Sequence, residues 1–386
     1  MSLRSALFSS LSACLLLCGT AVLPAAEPSW AVKPGPWGEL FVRAVYLEPP
    51  DNLLAIISKP TSVTRWTFDQ MTEGSVRELL ARTGVPADVI SRLCAPSQMI
   101  ASGNSVVLLP KLQDLLDLPT AVRSALYAEL AKSPSNEYQR DPVYILGGDI
   151  DDWLSECDMG KPQQELMRKL LWKRGEATAF SDIQVLISQS GGPDEVSSIL
   201  RTMTRVRSLI IELKLPLSGG RQAFMDYWGA GSLNAERAPF LSAITRRRAP
   251  QLIDATQFLP VLARRRIYTF PNSSLGLKGR MPDCHWTSLN FFEEEPRDLY
   301  LDSEEASKHL LSGYVAVDAP YQFGDVLCFL DRGQGLHTCV HIVDDIVLTK
   351  NGESVLAPWT LMQRKDVDSI YRQSASTRIQ GYRLRK

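Results

Sequence analysis

A chain of 386 residues is longer than one hydrophobic core usually fills, and its 45% apolar and 22% charged residues are the balance of a globular protein. A formal charge of −1 excludes the strongly basic field that drives nucleic-acid binding. No fixed-period repeat or low-complexity tract points to a solenoid or a disordered chain.

Residues 1–26 carry one early Arg, a short apolar stretch and then small residues, the pattern of a secretory leader with cleavage after Ala21, Ala25 or Ala26. "LSAC" ending at Cys14 has a lipoprotein-like local pattern, so contact with a membrane is expected only through an uncleaved or lipidated amino terminus. The expected location is secreted or periplasmic. Removing the leader takes Cys14 and Cys18 and leaves Cys94, Cys157, Cys284, Cys328 and Cys339. An odd number leaves at least one thiol unpaired in an oxidising compartment; Cys94 with Cys157 is a conceivable bridge.

From 27 to about 66, Pro-rich turns alternate with the apolar runs "LFVRAVYL" and "NLLAIIS", which predicts a small strand-bearing start. The region then turns mainly helical to residue 262. Ser75 and Glu78 have capping-box spacing before a stop at Gly84, and residues 193–213 carry Val196, Ile199, Leu200, Met203 and Val206 at helical spacing. "GGDIDDWL" lacks the later Gly and terminal Glu of a calcium loop and reads as a Gly turn, an Asp cap and an acidic first helical turn. The Arg clusters at 246–248 and 264–266 read as solvated helix ends.

Residues 263–386 change character. A Tyr268 loop precedes "GRMPDCHWTSLNFF", then comes the helix-like "SEEASKHLL" and closely spaced strand candidates: "SGYVAVDA", "DVLCFLD", "HTCVHIV", "DIVLTK" and "IQGYRLR". This is an α+β arrangement, a mainly helical first domain (27–262) followed by a helix and an antiparallel sheet (263–386). If Asp283 caps a helix, Cys284 lies in its first turn, where free N–H groups and the dipole favour a thiolate and could hold an oxyanion. Four histidines are available as a base. Successive helical side chains diverge by about 100°, so His285 is expected to point away from the thiol. His309 falls among charges on a surface helix. His337 and His341 share one face of a strand, and only one can reach Cys284.

With those residues in place, the last 120 or so resemble the NlpC-like cell-wall cysteine peptidases, a circularly rearranged papain-type fold. Tyr268, Asp283-Cys284, Gly324-Asp325-Val326 and His337 fall in the family's motif order. His285 replaces the family's small hydroxyl residue after the cysteine, and Cys339 stands where the family prefers Gly. The resemblance implies a peptidoglycan stem peptide, or another peptide-like substrate, with Cys284 as nucleophile and His337 as base; Tyr268, Asp283 and His285 would meet the substrate. A turn at 343–345 would place Asn351 opposite His337 as the third member, with Thr349, two residues away on the same face, as the alternative. Gly324 is expected to admit a bend, and Asp325 to satisfy backbone donors. No CxxC or HExxH pattern occurs, so no metal or other cofactor is expected. Two other readings keep the fold: a catalytically inactive envelope-binding or scaffold protein, and a thiol amidase or acyltransferase on another substrate.

Overall fold

A computed structural model describes residues 30–56, 61–147, 149–272, 280–372 and 374–385. The expected leader, with Cys14 and Cys18, lies outside the described residues. Helices and antiparallel sheets alternate along the chain, consistent with the α+β expectation. No helix among the described residues is long and apolar enough to cross a membrane.

The amino-terminal region is more strand-rich than its sequence suggests. Leu40–Leu47, the expected strand, pairs along its whole length with Val206–Leu215, which in turn pairs with Gln251–Asp254. The run expected to be helical through Val206 instead breaks: Pro193–Met203 is the helix, and Val206 opens the strand. Helical spacing persists across the junction because both elements bury Leu and Ile; from Leu209 onwards the strand alternates buried and less buried positions, the period of a strand with one face in the core. "NLLAIIS" also departs from expectation, with Asp51–Leu54 forming a short helix. Two further three-stranded sheets are interleaved with the helices between 66 and 180.

Other local signals are close to their expected places. The helix Glu73–Arg82 is capped by Thr72 rather than Ser75; Ser75 is instead the third helical residue and completes a capping box with Thr72. Gly84 has φ +87°, the left-handed conformation that ends helices. Asp149 accepts a bond from the Asp151 N–H and caps Ile150–Leu154, so the acidic stretch is a helix start. The arginines at 246–248 are exposed. All five described cysteines, Cys94 and Cys157 included, are free thiols.

The carboxy-terminal sheet has six antiparallel strands in the order Tyr314–Val317, Arg378–Leu384, Val326–Asp331, Gln334–Val343, Ile346–Lys350 and Trp359–Gln363. Five of these match the expected runs; Trp359–Gln363 was not foreseen. Nor was the helix Arg364–Tyr371 that follows it. The two regions share one core: Leu209, Ile211 and Leu213 pack in the same cluster as Val340, Leu348 and Leu361. Across that junction the Ser208 hydroxyl donates to the Leu361 carbonyl (3.3 Å) and accepts from its N–H (3.1 Å).

Candidate functional site at the Cys284 helix

Asp283 has an extended backbone, and its carboxylate accepts the N–H of Trp286 at 2.8 Å, so the helix Cys284–Leu289 begins as its sequence dictates. The Thr287 hydroxyl donates to the Asp283 carbonyl (2.6 Å) and accepts from Trp359 Nε1 (2.9 Å). The indole of Trp286 donates to Asp298 at 3.2 Å. These bonds pin the first helical turn to the sheet and fix where the thiol sits.

At that turn, an oxygen of Asp283, the Sγ of Cys284 and a ring nitrogen of His285 all lie within 4.8 Å of one another. Divergence along an ideal helix predicted that His285 would point away; instead its Nδ1 lies 3.3 Å from Thr338 Oγ1 on the adjoining strand, and this contact holds the ring beside the thiol. His285 is half-buried, and Cys284 is only 6% exposed. The three groups could together hold one soft divalent cation, with one atom from each.

The sheet adds a charge that was not anticipated. Lys350 is fully buried, its ammonium donating to the carbonyls of Gly352 (2.6 Å) and Ser354 (3.1 Å) and lying 5.8 Å from the Trp359 ring centre. Burial lowers its pKa to about 8, against the pull of nearby Asp283 and Cys284 towards the charged form. Cys328 also lies within electrostatic range of Cys284, and burial pushes its thiol up to about 12. Burial raises Cys339 as well. Both are packed, inert thiols, as strand cysteines were expected to be.

His337 is not brought to Cys284. Val326 pairs with Val340, Val340 with Leu348, and Leu348 with Leu361, so these side chains share one face, the face on which Phe291 packs. Cys328, Thr338, Lys350 and Trp359 continue the same face, and the Cys284 helix bonds to it through His285 and Thr287. Alternation sends His337 to the other side. There it stacks on Tyr371 (ring centres 4.0 Å apart, 8° between planes) beside Phe329, fully buried. Its Nε2 meets Thr349 Oγ1 at 2.8 Å, and its Nδ1 has no hydrogen-bond partner. The expected Cys284–His337 pairing is therefore not formed; the imidazole grouped with the Cys284 sulfur, within 4.8 Å, is that of His285.

The remaining expected members also move. Asn351 does not contact His337; its Oδ1 accepts from Thr349 at 3.3 Å, and its Nδ2 faces the Met362 sulfur. Thr349 takes the imidazole, because the strand ends at Lys350, one residue before Asn351 could join the ladder opposite His337. Tyr268 is a structural residue: its hydroxyl donates to the Leu209 carbonyl at 2.7 Å within the shared core. His309 is half-buried, its ring tilted 35° against that of Tyr300 at 4.8 Å. Gly324 has φ +89°, and a Cβ there would overlap the Phe292 ring; Asp325 accepts the Gln322 N–H and a bidentate pair from Arg383.

No family model, no curated protein and no solved structure matches the chain.

Proposed function

We propose that this is an exported thiol hydrolase that cleaves an amide bond, with Cys284 as nucleophile and His285, rather than His337, as general base. The observation that carries the reading is the grouping of the Cys284 sulfur, a His285 ring nitrogen and the Asp283 carboxylate within 4.8 Å at the start of a helix seated on an antiparallel sheet. The imidazole takes the thiol proton as sulfur attacks the carbonyl carbon. The resulting imidazolium then protonates the departing amine, leaving a thioester that water, deprotonated by the same imidazole, hydrolyses. Thr338 positions the ring, and the buried Lys350 ammonium lies within electrostatic range of the sulfur.

The papain-type arrangement and the peptidoglycan stem-peptide substrate are part of this proposal. They rest on the motif order Asp283-Cys284 and Gly324-Asp325-Val326; His337 keeps its place in that order but, facing the other side of the sheet, lends them no support. The test is release of new amino termini from purified cell-wall fragments, which wild type should produce and Cys284→Ala should not. Two observations favour a second reading: the 6% exposure of Cys284 and the turning away of His337 suit a silent envelope-binding or scaffold protein. Equal, negligible release by both proteins would select it.

A further inference from the structure

Away from Cys284, a cavity of about 910 Å³ opens between the 33–37 turn, the helix Arg221–Gly229 and the far end of the six-stranded sheet. It shares no lining residue with the Asp283-Cys284-His285 group. Its volume is that of a site for a drug-sized molecule or a short peptide.

The walls are aromatic. Trp37 and Tyr227 meet edge to face at 5.3 Å, and Tyr321 lies 5.9 Å from the His341 ring. The cavity's polar groups are unequally satisfied. Arg383 is neutralised by its two bonds to Asp325. Arg364, which also lines the cavity, makes no ion pair within 4 Å among the described residues, and its charge acts on both Asp345 and His341. His341 is 4% exposed and its Nε2 has no hydrogen-bond partner among the described residues. A buried donor or acceptor without a partner costs about 1–3 kcal/mol, so a ligand that bonds to it recovers that cost. Asp226 and Asp344 supply negative charge elsewhere on the lining.

We propose that this cavity binds a short peptide with free termini, its carboxylate held by Arg364 and His341 and its ammonium by Asp226 or Asp344. An aromatic-walled lining that carries Lys33 and Arg364 together with Asp226 and Asp344 matches a dipolar ligand better than a plain fatty acid, which would leave the aspartates facing hydrocarbon. The inference does not depend on thiol chemistry.

The experiment is calorimetric titration of full-length Cys284→Ala protein with Ala-Phe-Ala, its N-acetyl form and its C-terminal amide. Saturable binding at millimolar concentration or tighter is expected from the free peptide. Loss of a charge-assisted bond should weaken each capped form about tenfold. Ala223→Trp, on an exposed position of the lining helix, should abolish binding while leaving the thermal transition unchanged; Arg364→Gln should weaken the free peptide and its N-acetyl form but not the C-terminal amide. No saturable heat from any peptide overturns the proposal, as does equal affinity for all three. Tight binding of the N-acetyl form alone replaces the dipolar ligand with a simple carboxylate.

Discussion

His285 Nδ1 and Thr338 Oγ1 lie 3.3 Å apart, so the strand that carries His337 presents its neighbour, not His337 itself, to the Cys284 helix. One residue of alternation decides which imidazole can reach the sulfur.

If Thr338 positions the base, Thr338→Val should lower kcat on a peptide substrate about tenfold with little change in KM, and Thr338→Ser should restore most of it. A parallel loss in Thr338→Val and Thr338→Ser would reduce Thr338 to a packing residue.

His337 and Thr349 should matter to stability and not to the thiol. Thr349→Val leaves both nitrogens of a fully buried ring unpaired and should cost about 1–3 kcal/mol, read from the urea midpoint. Iodoacetamide labelling of Cys284 should proceed at the wild-type rate in the folded variant. A large change in labelling rate would return His337 to the site.

Burial depresses His341 to about 4 from its ordinary 6.5, so the unfolded chain binds the extra proton between these values. Stability supplied by the neutral ring is complete above about pH 6.5 and drains away as pH falls towards 4. At 1.36 kcal/mol per pKa unit this is at most about 3 kcal/mol. His341→Gln should flatten the fall in urea midpoint between pH 6.5 and 4; an unchanged slope would assign the acid sensitivity to other groups.

Gly324→Ala forces a Cβ into the Phe292 ring at a left-handed φ and should destabilise the protein by at least about 1 kcal/mol, measured by the same urea titration. A neutral result would mean that the bend before Val326–Asp331 can relax.

Much of this architecture was legible because local chemistry and tertiary packing agree. Asp283 had to cap something, and five strands of the six-stranded sheet announced themselves by β-branched runs between turn residues. The failures have two causes. Val206–Leu215 alternates from Leu209, but the helical spacing of the run before it extends into Val206 and hides the change of period; the stretch from His337 to Val343 is buried on both faces, so neither periodicity nor polarity reveals which face meets a helix. Without that, His337 and Thr338 are indistinguishable as partners for the helix. Lys350 escaped notice because a strand-end lysine ordinarily reaches water, whereas here carbonyls from the next turn close over it.

The most direct test compares second-order rates of iodoacetamide alkylation at Cys284, near neutral pH, in folded wild type, His285→Ala and His337→Gln. Raised shielded thiols at Cys328 and Cys339 provide unreactive internal references. Cys284 should react faster in the folded wild type than in urea, slow markedly in His285→Ala, and keep its rate in His337→Gln. A folded Cys284 that reacts no faster than the unfolded thiol, or one that loses its reactivity only with His337, would contradict the assignment.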